Sequence, residues 1–139
     1  LRYLLDTNVI SEPLRPAPEP RILEKLRQHQ SELATAAVVW HELVFGFARL
    51  PPSRKRDAVG AYLLETVFET IRILPYDRAA ADWHARERAR LTDIGRPVPF
   101  ADGQIAAIAR ENGLVLVTSN LRDFEPFEGL TVEDWRAAP

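Results

Sequence analysis

Three carboxylates stand where a folding chain has reason to avoid them. Asp6 closes the apolar run Tyr3-Leu4-Leu5 and is followed by Thr7-Asn8. Glu42 has Val38, Val39, Phe45 and Gly46 as its three- and four-residue neighbours, so on a helix it falls within an apolar stripe. Asp102 falls in the first turn of a helix whose inner face reads Ile105, Ala106, Ile108 and Ala109. Each has an ordinary explanation. Asp6 suits an Asx-type turn at a strand end, Glu42 a buried ion pair with an arginine, and Asp102 a helix cap favoured by the dipole. Brought together, the three repel one another and must either take up protons or recruit a cation. Hard carboxylate oxygens suit Mg²⁺, with Mn²⁺ as a substitute, and such ions keep several waters for a substrate phosphate. Zinc fits poorly: there is no cysteine, and His29, His41 and His84 are scattered without a ligand pair at helical spacing.

These acids need elements to hold them. Tyr3 to Leu5 reads as a strand, Arg21 to His29 as a helix and Leu33 to Ala36 as a short strand. Val38 to Arg49, Arg54 to Glu69 and Asp77 to Ile94 read as helices, separated by the turn Leu50-Pro51-Pro52-Ser53 and a short strand from Ile71 to Leu74. Ala101 to Asn112 is a helix closed by Gly113, Leu114 to Thr118 an apolar strand, and Leu130 to Val132 a weak final strand. Strands alternating with helices predict an α/β domain whose mainly parallel sheet is covered on both faces. Ligands bind beyond the carboxyl ends of such strands, which singles out Asp6 and the residues after Thr118.

The chain has 139 residues, which fits one domain over residues 1–139. A composition 46% hydrophobic and 27% charged is that of an ordinary globular protein. The lack of cysteine excludes disulfides and thiol nucleophiles, and allows a cytoplasmic location. No apolar stretch approaches the ~20 residues of a membrane span, and the opening LRYLLDTNVI reads as a strand rather than a signal peptide. A net charge of −2 argues against coating nucleic acid through a general basic field. An active site needs only local positive charge. Arg78, Arg86, Arg88, Arg90 and Arg96 face Asp82, Glu87 and Asp93 in one stretch, a local excess that suits either substrate contact or a solvated helix face.

The blocks around these acids resemble a known family. The opening Leu4-Leu5-Asp6-Thr7-Asn8-Val9-Ile10-Ser11-Glu12-Pro13-Leu14-Arg15-Pro16 resembles the start of PIN-domain toxins of the VapC class, most of all their FitB-like branch. Glu42-Leu43, Asp102-Gly103-Gln104-Ile105-Ala106-Ala107 and Thr118-Ser119-Asn120-Leu121-Arg122-Asp123-Phe124 follow in family order. The resemblance implies a single three-layer α/β/α domain and an Mg²⁺-dependent endoribonuclease acting as the toxin of a type II toxin–antitoxin pair. It also implies a homodimer and a cognate antitoxin that reaches into the acidic site. Carried over, Asp6, Glu42 and Asp102 are the catalytic acids and metal ligands. The fourth position departs from the pattern: this chain has the neutral Asn120 where FitB-like members can carry Asp, and Asp123 stands three residues on. Asn120 and Asp123 are therefore both expected metal contacts, Asp123 through water.

The small hydroxyl residues Thr7, Thr118 and Ser119 are either water and phosphate positioners or caps. Trp40, Phe45 and Phe47 are expected as core or dimer surface. Two other readings compete. One is a non-catalytic PIN-like module that binds nucleic acid or a partner, for which Asn120 leaves room. The other is a haloacid-dehalogenase-type phosphatase, whose usual second Asp would occupy the place of Asn8.

Overall fold

The computed structural model describes residues 1–137, so the last two residues of the expected 1–139 domain lie outside this description. Five parallel strands form one sheet: β1 (Tyr3–Leu5), β2 (Leu33–Ala36), β3 (Arg72–Leu74), β4 (Val115–Val117) and β5 (Val132–Glu133), in the order β3-β2-β1-β4-β5. Strands β1 and β2 are buried at every position, not at every second one. That is the mark of a parallel sheet covered on both faces. The covering helices are α1 (Thr7–Ile10), α2 (Pro20–Gln28), α3 (Ala37–Ala48), α4 (Arg54–Ala61), α5 (Phe68–Thr70), α6 (Arg78–Asp93), α7 (Phe100–Glu111) and α8 (Leu121–Phe124). This is the expected α/β/α architecture.

The strand order contains the feature that positions a site. From β1 the chain steps outward to β2 and β3, then crosses back to β4 and β5 on the other side. β1 and β4 are thus neighbours across the point where the winding reverses, with Leu5 opposite Val117 in register. A crevice opens at such a switch point beyond the carboxyl ends of the strands. The next residues on the two strands are Asp6 and Thr118.

Helix α7 lies over β2 and β4 and against α3 and α6. Its five consecutive residues Ile105 to Ala109 are all buried, and the small alanines permit close approach on several sides. Gly103 serves the same end: a Cβ there would stand 2.0 Å from Nε2 of His84 on α6. His84 is itself buried and hydrogen-bonds through Nδ1 to the Tyr76 hydroxyl at 2.8 Å. Burial, then the nearby Arg88 charge, holds its pKa below the usual histidine value. It is a packing residue.

Three local differences from the sequence reading stand out. The helix expected without a break over Arg54 to Glu69 opens into a wider π-type turn at Tyr62–Val67. There the Tyr62 hydroxyl is drawn across to the carbonyl of Ile10 at 2.5 Å, a long-range anchor that no local pattern encodes. The last strand sits at Val132–Glu133, not Leu130 to Val132, because Leu116 and Thr118 take their ladder partners at Thr131 and Glu133. Short helical turns at Thr7–Ile10, Glu12–Leu14 and Leu121–Phe124 occupy stretches that periodicity is too short to reveal.

Candidate active site

Asp6 leaves β1 in extended conformation and caps α1, its Oδ1 accepting the Thr7 N–H at 2.8 Å. This caps the short helix through the next residue, not through the residue two on that an Asx turn uses. The cap does not account for Oδ2, which accepts the buried Thr118 hydroxyl at 2.8 Å and the Asn8 amide at 3.4 Å. Asn8 closes the same junction from the other side, its Oδ1 accepting the Ser119 N–H at 3.0 Å. Thr118 in turn accepts the Asn120 N–H at 3.1 Å. Asp6, Asn8 and Thr118 thus tie the ends of β1 and β4 together. Asn8 went unrecognised as a site residue in the sequence, where the only signal was its place two residues after Asp6. Thr118 caps the Asn120 N–H, as small hydroxyl residues at strand ends commonly do, and also holds the Asp6 carboxylate.

Among the described residues no arginine or lysine pairs with Asp6 or Asp102. Asp6 is 7% exposed, and burial raises its pKa despite the hydrogen bonds from Thr118, Thr7 and Asn8, with the Asp123 charge pushing the same way. Asp102 is half-buried in the first turn of α7. The expected cap is not made: α7 has no side-chain cap, and the Asp102 carboxylate accepts no hydrogen bond among the described residues. Burial first, then repulsion from Asp123 and Asp6, pushes its pKa up to about 6. Asp123 bears on both Asp6 and Asp102, and Asp6 on Asp102, which groups the three carboxylates around the switch point. Asp123 is brought there by the one-turn helix α8, while Asn120 precedes that helix with an exposed side chain free of hydrogen bonds among the described residues.

Glu42 corrects the sequence reading. It is exposed, on a helix whose buried residues are Val39 and Leu43. The inward line of α3 runs through 39 and 43, one residue off the stripe inferred from Val38, Val39, Phe45 and Gly46. Phe45 and Gly46 face outward with Glu42. Because α3 is apolar around most of its circumference, the pattern could not say which side faces the core. Glu42 is not among the charges that perturb Asp6 or Asp102.

Among the described residues no three acidic or histidine side chains stand close enough to grip one ion together. The chemistry of these carboxylates nonetheless fits a hard dication: all-oxygen donors, pKa values raised at Asp6 and Asp102, no positive partner among the described residues, and in Asp102 a carboxylate without a hydrogen bond. Zinc remains a poor fit, with His84 committed to packing and His41 exposed on α3. The arginines from Arg78 to Arg96, which suit either substrate contact or a solvated helix face, are partly committed elsewhere. Arg90 binds both oxygens of Glu87 and the Pro126 carbonyl, and Arg88 lies over the ring of Phe100.

Comparison with known proteins identifies the fold's family. The PIN domain family model matches residues 3–128. The tRNA(fMet)-specific endonuclease VapC of Shigella flexneri is 35% identical over 135 residues, covering 97% of this chain and 98% of that one. Toxin FitB of Neisseria gonorrhoeae is 33% identical, covering 95% and 97%. Among solved structures, FitAB bound to a DNA fragment superposes with a TM-score of 0.90 at 29% identity, covering 99% of this chain and 97% of that one. DNA-bound VapBC from Salmonella typhimurium superposes at 0.84 with 32% identity, covering 97% and 98%. The PIN domain match over residues 3–128, with relatives 33–35% identical over nearly their full length, places the chain in the PIN domain family beside its VapC and FitB members.

Proposed function

We propose that the protein is an Mg²⁺-dependent endoribonuclease, the toxin of a type II toxin–antitoxin pair. The observation that carries this reading is the pairing of buried Asp6 with half-buried Asp102, beside the exposed Asp123, with no arginine or lysine partner among the described residues at the switch point of the sheet. Asp6 and Asp102 would hold the ion, with Asp123 completing its surroundings. Bound there, Mg²⁺ would lower the pKa of a water and neutralise charge developing on a phosphodiester. The chain's own contribution is positional. Thr118 and Asn8 fix the Asp6 carboxylate against rotation, and burial keeps bulk water from screening the field at the scissile phosphate. Glu42, solvent-exposed on α3, would take part by orienting water or substrate at the mouth of the crevice. Asn120 offers a neutral oxygen there, weaker toward Mg²⁺ than the carboxylate of Asp123.

The partner assignments rest on the relatives and on the surface. VapBC and FitAB are solved as complexes, which supports a cognate antitoxin. Val44, Phe45, Leu64 and Phe68 are exposed apolar side chains on α3 and the helical run after α4, and Trp40 packs against Phe68. An apolar surface of this kind suits a homodimer or an antitoxin helix. No helix among the described residues is long and apolar enough to cross a membrane, in keeping with the cytoplasmic location proposed here.

The test is a panel of RNAs, including initiator tRNA because a relative carries that specificity in its name, incubated with the purified protein in Mg²⁺ or in EDTA. Discrete internal cleavage in Mg²⁺ alone is the expected result. Binding without cleavage of any RNA would favour the non-catalytic module instead, and hydrolysis of small phosphomonoesters would favour the phosphatase.

A further inference from the structure

Beside the acid cluster lies an open cavity of about 370 Å³, lined by Ser119, Asn120, Arg122, Asp123, Asp134 and Arg136. It shares Asp123 with the cluster, so whatever fills it lies next to the reacting phosphate. Two arginines border it, and neither belongs to the stretch in which the sequence suggested substrate contacts.

Arg136 is held in place from behind. Its Nε and Nη2 bind the Asp134 carboxylate, with Nη2 to Oδ2 at 2.8 Å, and Nη2 also donates to the Ser119 carbonyl at 2.8 Å. The Asp134 side chain is 13% exposed and that of Arg136 is 51% exposed. A guanidinium fixed through one edge presents its other edge, Nη1, without losing side-chain freedom on binding. Arg122 is exposed and forms no ion pair among the described residues. The four charged side chains lining the cavity, Arg122, Arg136, Asp123 and Asp134, balance formally. A cation bound at the acid cluster would neutralise Asp123 and leave the arginines as the excess.

We propose that this cavity is a subsite for a backbone phosphate of single-stranded RNA, next to the scissile one, held by Arg122 and Arg136. The inference rests on the nuclease reading and deepens it. Arg122, whose guanidinium is free among the described residues, can meet a phosphate in two-point geometry, Arg136 adds a single contact through Nη1, and phosphate contacts set the register of a strand without reading its bases. The site therefore positions RNA and leaves sequence choice to other surfaces.

The test separates this claim from the nuclease reading. Binding of a fluorescent single-stranded RNA is measured across a salt series in the Asp102→Asn background, with Arg122→Gln, Arg136→Gln or the control Lys55→Gln added. Cleavage by the wild type is followed separately. Removing one phosphate contact on a single strand lowers the slope of log K against log salt by about 0.7. Arg122→Gln and Arg136→Gln should each do so and weaken binding roughly 2- to 5-fold, the scale of an exposed ion pair, while Lys55→Gln leaves the slope unchanged. Arg122 has no structural partner, so its variant stays informative even if Arg136→Gln loosens the Ser119 loop. An unchanged slope in Arg122→Gln overturns the subsite while leaving cleavage by the wild type standing. If the wild type cleaves nothing yet the slope still falls, the nuclease reading fails and the phosphate site stands.

Discussion

Glu12 and Glu87 are as buried as Asp6, at 3%, 7% and 7% exposure. The chain treats them in opposite ways. Glu12 takes Arg15 at 3.2 Å and the Glu19 N–H at 3.1 Å. Glu87 binds Arg90 through both oxygens and accepts the Glu128 N–H at 2.7 Å, and these contacts, Arg90 foremost, hold its pKa below the usual carboxylate range. Asp6 and Asp102 have no arginine or lysine, and their pKa values rise. A protein that readily supplies counter-cations for two structural carboxylates has withheld them from the two at the switch point. Burying a charge is costly unless it is paired or binds metal, and this contrast is what the proposed cation site at the unpaired acids rests on.

The largest expected effect that separates the two regions is on rate. Asp6→Asn and Asp102→Asn should each lower RNA cleavage by at least about 10²-fold, whereas Glu87→Gln should leave the rate per folded molecule unchanged. Single-turnover cleavage, corrected for folded fraction, checks this; equal losses in all three would erase the distinction.

Stability should show the reverse. Arg90→Gln strands the buried Glu87 carboxylate and should cost about 1–3 kcal/mol at neutral pH, measured by urea unfolding. Because the folded pKa of Glu87 is depressed, the stability it contributes is present above its unfolded value and is lost as pH falls through the folded one. The penalty of Arg90→Gln should therefore shrink in acid. A penalty independent of pH would mean that Arg90 matters only through the Pro126 carbonyl.

Asp102 carries the opposite sign. Its folded pKa is raised, to about 6, so the folded state binds its proton more tightly than the unfolded chain does. Stability is then greatest below the unfolded pKa and declines as pH rises from about 4 through about 6. Asp102→Asn should remove that decline and make the metal-free protein more stable at pH 7 by about 1 kcal/mol, after allowance for solvent screening of a half-buried group. Thermal unfolding in EDTA at pH 4 and pH 7 tests it. Asp6→Asn is expected to gain less, since it disturbs the hydrogen bonds with Thr7 and Thr118.

The smallest effects sharpen the edge of the cluster. Asp123→Asn should bring the Asp102 pKa down and modestly raise the Mg²⁺ concentration needed for cleavage. Asn120→Asp should lower that requirement if the Asn120 side chain faces the ion. Rate against Mg²⁺ concentration distinguishes them, and a collapse on Asp123→Asn as deep as that on Asp102→Asn would make Asp123 a direct ligand.

How far the sequence could foretell this depended on the range of the interaction. Strand β1 and Asp6 were legible because a short apolar run ending in Asp is a local pattern, and Asp102 because it opens a helix with an apolar face. The helical spans of α3 and α6 came out within a residue or two. Glu42 was misplaced because an all-round apolar α3 conceals its inward side. Exposed Val44 and Phe45 then raise the apolar count without belonging to the core. The bonds from Asn8 and Thr118 across the sheet join residues about 110 positions apart, and nothing before the strand order reveals that they meet. Arg136 reached the Ser119 carbonyl in the same hidden way. Charge counting over Arg78 to Arg96 leaves substrate contact and a solvated helix face both open, and the structure spends Arg90 on Glu87.

The most direct test of the central claim is to titrate Mn²⁺ into metal-free protein and follow the free ion by electron paramagnetic resonance. Saturable binding by the wild type and by Glu87→Gln, lost or greatly weakened in Asp102→Asn, is the predicted result. No saturable binding by the wild type, or equal binding by Asp102→Asn, would contradict the assignment of the switch-point carboxylates as a cation site.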